Sequence, residues 1–175
     1  MFALRRIVTA TDASGRSVIA FDDGGTNQLR STTYSGLVMH DLWATAESPA
    51  GVSRATDRAL RPTRIEPDAG GTVFRVIELP PDHVLGAVDA AAGRAEFGLA
   101  STAEPATRHH SMHRTATVDY LVVLSGEMWM LLDEAEVLLS AGTCVVQQAT
   151  SHGFSNRSSE HCVFAAVLVD AAQPS

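Results

Sequence analysis

Apolar and polar positions alternate along much of this chain with the period of two that marks strands, and turn residues break the alternation at short intervals. The segment RRIVTATDASGRSVIAFDD alternates on both sides of Asp12-Ala13-Ser14-Gly15, which predicts a hairpin with a short turn, ended by Asp23-Gly24-Gly25. Ser35–Ala46 places Leu37, Met39, Asp41 and Trp43 on one strand face and Val38, His40 and Leu42 on the other. Neither face is cleanly polar, so this strand is expected to be covered on both sides. Residues 47–71 are rich in Pro, Gly, Ala and polar groups and read as a long loop or lid, a disordered connection fitting equally well. Thr72–Asp82 reads as a strand stopped by Pro80-Pro81, whose missing amide hydrogens cannot continue a ladder. From Asp89, DAAAGRAEFGLAS has helical composition: an Asp able to cap, an alanine run and a weakening Gly93.

The second half repeats the strand pattern more densely. Val118–Leu124, Met128–Leu132 and Val137–Leu139 continuing into Cys144–Val146 are apolar runs separated by Ser125-Gly126, Asp133-Glu134 and Ala141-Gly142. They predict consecutive short antiparallel strands. His161–Asp170 is nearly continuously apolar, as expected of a closing strand buried on both faces, and AAQPS reads as a frayed tail. Many short strands with almost no helix predict an all-β, antiparallel jelly-roll barrel with extra N-terminal strands and at most one or two short helices. The first eighty residues would wrap its outside or complete a sheet across a dimer.

Composition narrows the function. A chain of 175 residues suits a single domain with one core, its N-terminal strands and loop in 1–100 and its densest motifs in 105–170. The formal charge of −7, with no basic cluster, argues against nucleic acid or an anionic membrane surface and leaves a small molecule as the expected partner. There are thirteen Arg and no Lys, which removes Schiff-base chemistry, pyridoxal phosphate attachment and the phosphate-loop lysine. MFALRRIVTA has no long apolar segment after its arginines and no run approaches the ~20 apolar residues of a membrane span, so a cytoplasmic protein is expected. Cys144 and Cys162 lie in apolar strand-like segments and read as two reduced, buried thiols, with a disulfide between neighbouring strands left open. Neither has a CxxC partner for a thiolate zinc site. No internal repeat and no helix-turn-helix signal is present.

Candidate chemistry gathers between His109 and Asn156. Asp119, six residues, then Gly126 resembles the tail of the first cupin motif; His152, three residues, then Asn156 resembles the tail of the second. MHRTATVDYLVVLSGE followed by VVQQATSHGFSN is similar to a group of small bacterial cupins, over about residues 109–170. The resemblance implies a single-domain cupin barrel and a homodimer. It also implies inward-pointing metal ligands: matching backwards from Asp119 sets His113 at the first histidine of the motif's His-x-His and Thr115, a departure, at the second. His113, Asp119 and His152 then have the composition of the two-histidine, one-carboxylate set that holds non-haem Fe(II), and Zn, Mn or Ni would also suit. A straight strand would separate His113 from Asp119 by roughly 20 Å, so a sharp bend must fall between them. His109 or His110 could supply a fourth ligand. Thr115 could bond a ligand or Asp119, or leave room for a water.

Against the metal stands a reading in which buried Asp119 pairs with His113 or Arg114 as a satisfied polar cluster. The second motif also departs from the pattern, with Gln147-Gln148-Ala149 at its Pro-x-Gly turn and Thr143 at an Asp position. Trp129, Met128 and Met130 read as core or cavity wall, His40, His83 and His161 lack metal-like spacing, and Asn156 reads as fixing the loop that carries His152. Ser125 has no nucleophile-elbow pattern around it. Two functions follow. One is a metal-dependent enzyme on an organic acid, phenol or ketide-like compound, with lyase, isomerase or dioxygenase chemistry and His110 and Asp119 as catalytic groups. The other is a non-catalytic, metal-free module that binds such a compound.

Overall fold

The structure, a computed structural model, describes residues 2–52, 56–86, 88–99 and 108–172. The alternation at the start becomes the hairpin of β1 (Arg6–Thr11) and β2 (Ser17–Asp23). Its turn is held by the Asp12 carboxylate, which accepts from the amides of Ser14 and Arg16. β3 (Asn27–Arg30), β4 (Val38–Thr45), β5 (Thr72–Leu79), β6 (Thr117–Ser125), β9 (Cys144–Gln148) and β11 (Cys162–Asp170) make a six-stranded sheet in the order β3-β4-β5-β11-β6-β9. β7 (Glu127–Leu132), β8 (Glu136–Ser140) and β10 (His152–Ser155) make a three-stranded sheet in the order β10-β7-β8. All pairings are antiparallel. Two short helices, α1 (Asp82–Leu85) and α2 (Ala90–Glu96), complete the described elements. This is the all-β, antiparallel fold with two short helices expected from the strand pattern.

The core lies between the two larger sheets, where Leu121, Val123, Phe164 and Leu168 of the larger meet Met128, Met130 and Leu139 of the smaller. The closing strand takes the centre of the six-stranded sheet, which explains its near-continuous apolar character: β5 and β6 flank it and both its faces are largely covered. β4 is likewise buried along most of its length. The Phe2 and Leu4 side chains cover Leu42, Val76 and Val163 on the sheet's outer face.

Three expectations change. The 47–71 segment has no regular element, yet it packs: Ala59 is fully buried, Asp57 accepts two bonds from Arg6, and Arg61 stands 3.5 Å from Asp41; residues 53–55 lie outside the described set. Cys144 is exposed, because β9 ends the sheet and its outward face has no cover; Cys162 is buried, and neither cysteine is in a disulfide. Gly93 serves packing inside α2, since a β-carbon there would fall 2.4 Å from the Tyr34 ring. The helix itself starts where expected, with Asp89 accepting from the amides of Ala91 and Ala92. α1 was not anticipated. The expected tail falls partly outside the described residues. No described helix is long and apolar enough to cross a membrane.

Candidate functional site

A cavity of about 150 Å³ opens between the sheets. Met39, Ile77, Leu121, Phe154, Phe164 and Leu168 give it an apolar wall, and His110, His113, Asp119, His152 and Arg75 interrupt that wall.

His113 and His152 meet across the cavity's rim of backbone. Their main chains exchange two hydrogen bonds, His113 N to His152 O at 2.8 Å and His152 N to His113 O at 3.0 Å, which draws the two elements together as an isolated bridge. The ring centroids stand 4.5 Å apart. Each ring nitrogen Nδ1 donates to the carbonyl two residues earlier, Ser111 O at 2.8 Å and Thr150 O at 2.9 Å. A carbonyl only accepts, so Nδ1 carries the proton and Nε2 is left as the acceptor on both rings. Burial holds both imidazoles below their ordinary range, His152 down to about 3 with the neighbouring His113 adding to the effect.

Asp119 projects from the inner face of β6, where its register partners are Leu168 on β11 and Gln147 on β9. It is buried, and its Oδ1 has no hydrogen-bond partner among the described residues. Burial pushes its carboxyl up to about 6, against a smaller pull from the Thr117 side chain and the Arg75 charge. The bend required between His113 and Asp119 is present, since the bridge ends at His113, the chain bends at Ala116 and β6 begins at Thr117. Asp119 pairs with neither His113 nor Arg114, which is exposed; the charge facing it is Arg75. Thr115 bonds the Thr117 hydroxyl at 2.8 Å rather than Asp119. His110 is half-buried between His109 and Tyr34, at ring separations of 4.0 and 5.6 Å, with its Nδ1 unpartnered among the described residues.

The structure therefore joins His113 with His152 and places Asp119 and His110 on the same cavity without joining them to that pair. Among the described residues, no group of three or more His, Cys, Asp or Glu side chains stands close enough to hold a metal ion. The histidine pair has the donor chemistry of a metal site, each ring oriented by a bond from its other nitrogen. As they stand, these residues supply two ligands rather than the three that the cupin resemblance implies.

With this geometry in view, the relatives can be compared. The chain is 32% identical to phomopsin biosynthesis cluster protein C′ of Diaporthe leptostromiformis over 155 residues, 87% of this chain and 70% of that protein. Phomopsin biosynthesis cluster protein D of the same organism matches with the same identity over the same extent. The chain belongs to their family. No protein-family model matches it. Among solved structures, the Cupin_2 domain of an XRE family transcriptional regulator from Enterobacter cloacae is similar over 58% of this chain and 83% of that one, at 22% identity and a TM-score of 0.38.

Around the site, Asn156 acts as expected of it. It is fully buried, donates to Leu79 O and Glu160 O, and accepts at Oδ1 from the Ser158 amide and hydroxyl, so it pins the end of β10, the strand that carries His152. Met128 and Met130 are core, and Trp129 lies under the Arg157 guanidinium at 4.7 Å. His40 bonds buried Glu78 at 3.0 Å. Sequence reasoning missed Arg75, which is buried, reaches Asp41 at 3.0 Å and donates to Arg64 O at 2.7 Å. Part of its signal was available: Asp41 and Arg75 are opposite charges on two segments that read as strands, and the register pairs them.

Proposed function

We propose that this chain binds a small, largely apolar organic molecule in the cavity between its sheets and acts on it as an enzyme of a biosynthetic route. The observation that carries the reading is an apolar cavity holding two acceptor imidazoles, an unpartnered imidazole nitrogen at His110 and an unpartnered carboxylate oxygen at Asp119. Unfilled polar capacity in an otherwise apolar pocket is what orients a ligand and moves its protons. The volume sets the size, because apolar cavities of about 150 Å³ admit one benzene-sized ring. A phenol, a small organic acid or a short ketide-like compound suits that space. The names of the two relatives, both of a biosynthesis cluster, support a role in making a product.

In this reading Asp119 and His110 exchange protons with the substrate, while His113 and His152 accept from its hydroxyl or enol groups. A divalent ion such as Fe, Zn, Mn or Ni would find two ligands in His113 and His152. The proton chemistry of the cavity groups does not require it.

The test is an assay of phenols and short keto acids with and without added divalent metal and with and without oxygen, followed by mass spectrometry. Turnover under nitrogen marks lyase or isomerase chemistry; a requirement for oxygen marks an oxygenase. His152→Ala and Asp119→Asn should each lower the rate by roughly 100-fold or more while the strand-dominated circular dichroism persists. Full rates in both variants would rule out this site. The alternative is a non-catalytic binding module, for which the predominantly apolar wall of the cavity suffices. It predicts tight binding with the ligand recovered unchanged under every condition.

A further inference from the structure

Charge is unevenly placed around the cavity. Burial holds the imidazoles of His110, His113 and His152 below their ordinary range, so near neutral pH the wall carries the guanidiniums of Arg75 and Arg94 against the single carboxyl of Asp119. That is a local positive surplus in a chain of formal charge −7. The two arginines differ. Arg75 reaches Asp41 at 3.0 Å and faces Asp119, so its charge is answered within the protein. Arg94 stands half-buried in the last turn of α2, and its side chain makes no hydrogen bond or ion pair among the described residues. The carboxylates of its own helix are engaged elsewhere: Asp89 caps the amides of Ala91 and Ala92, and Glu96 accepts from Ser31, Thr32 and Thr33. The charge of Arg94 is felt instead at the Tyr34 phenol on the cavity wall, where it opposes the upward push of burial.

We propose that the cavity takes the anion of an aromatic carboxylic acid, with its carboxylate held by Arg94 and its ring among the aromatic side chains of the wall. This rests on the reading of the cavity as a small-molecule site and narrows its substrate to one class. The ring is argued from the wall: of six Phe and two Tyr in the chain, Tyr34, Phe97, Phe154 and Phe164 line this one cavity. They stand as two pairs, Tyr34 and Phe97 stacked at 5.8 Å, Phe154 and Phe164 at 5.4 Å. Such faces and edges favour a flat aromatic guest, and about 150 Å³ limits it to one ring. The carboxylate is argued from Arg94, whose planar fork can donate to both oxygens of a carboxylate and has no such partner in the chain. A guanidinium bordering an apolar cavity loses part of its hydration, so a bound anion gains more there than at an open surface. With the anion fixed at α2, the ring lies in the same cavity as the acceptor nitrogens of His113 and His152 and the carboxyl of Asp119. Arg94 is thus a substrate-binding residue that selects acids over neutral rings of the same shape.

Calorimetric titration of the full chain with benzoate and with benzamide, its neutral match in shape, tests this at about pH 7.5, where benzoate is ionised. Probes of this size bind weakly, so the titrations run to about 20 mM. The wild type should bind benzoate at least about 10-fold more tightly than benzamide. Arg94→Gln should bring benzoate down to the affinity of benzamide while benzamide binding stays within about 2-fold of the wild type, which shows the cavity still formed. Arg94→Glu should push benzoate below benzamide, and it carries the test if Arg94→Gln fails to fold. Equal affinities in the wild type, or a preference for benzoate that survives in folded Arg94→Gln or Arg94→Glu, would overturn the proposal and leave the small-molecule reading of the cavity standing. Binding of neither probe would overturn both.

Discussion

At Gly126 the chain passes from the large sheet to the small one in a single residue, at φ 73°, and a β-carbon there would sit 2.5 Å from the carbonyl oxygen of His161. Both the left-handed backbone and the backbone clash penalise any side chain, so Gly126→Ala should destabilise by at least ~2 kcal/mol in denaturant unfolding. Ala149 occupies the same region at φ 49° and is a different case. Glycine there would relieve about 1 kcal/mol of strain. It would also forfeit a buried methyl, about 0.8 kcal/mol, and loosen the unfolded chain, so Ala149→Gly should move stability by less than ~1 kcal/mol. The titrating groups of the cavity act on acid stability. His152 titrates near 3 when folded and near its ordinary 6.5 when unfolded, so the unfolded chain binds more protons between those values and stability falls as pH drops below about 6.5. His113 acts in the same direction. Asp119 opposes them: its folded value near 6 exceeds its ordinary 3.8, so its contribution is present at low pH and lost as pH rises through 6. Two histidines against one carboxyl leave a net loss on acidification. The protein without added metal should melt lower at pH 5 than at pH 7, with a shallower dependence in His152→Gln, as calorimetry would record.

At the scale of elements, α2 forms part of the cavity wall through Arg94, and Phe97 and Leu99 extend that wall beyond the helix. The Glu96 carboxylate ties the helix down, accepting from the Ser31 hydroxyl, from the amide and hydroxyl of Thr32 and from the Thr33 amide. Gly93 lets the helix lie against Tyr34. Alanine is the better helix former by about 1 kcal/mol, but its methyl cannot fit here, and overpacking typically costs about 1–3 kcal/mol. Gly93→Ala should therefore lower the melting temperature and raise binding of an apolar fluorescent dye by loosening this wall. The strands were legible from their period of two and α2 from Asp89 and its alanines, because those signals are local. Gly93 read as a weakness because the residue it serves, Tyr34, lies far away in the chain. Cys144 read as buried because an apolar strand does not announce which of its faces lacks a neighbour. At the site, the placement of His113, Asp119 and His152 on one cavity is what the cupin resemblance implied. The bridge between the histidines and the charge of Arg75 opposite Asp119 depend on strand register, which no single segment encodes.

For the whole molecule, the decisive feature is that β11, near the end of the described chain, lies at the centre of the large sheet between β5 and β6. Removing residues 161–175 would leave two unpaired apolar strands where the sheet should be continuous, and that truncated chain should show no cooperative melting transition. The same topology shapes synthesis. Leu79 and Cys162 pair in the finished sheet, but 82 residues must be translated between them, which at 5–20 residues per second takes roughly 4–16 s. Throughout that interval the nascent β4–β5 hairpin holds open an apolar edge that another nascent chain on the same message can reach first. Translation slowed ahead of Cys162 would lengthen the exposure, and a chaperone that shields strand edges would raise the yield of folded protein without altering its final stability.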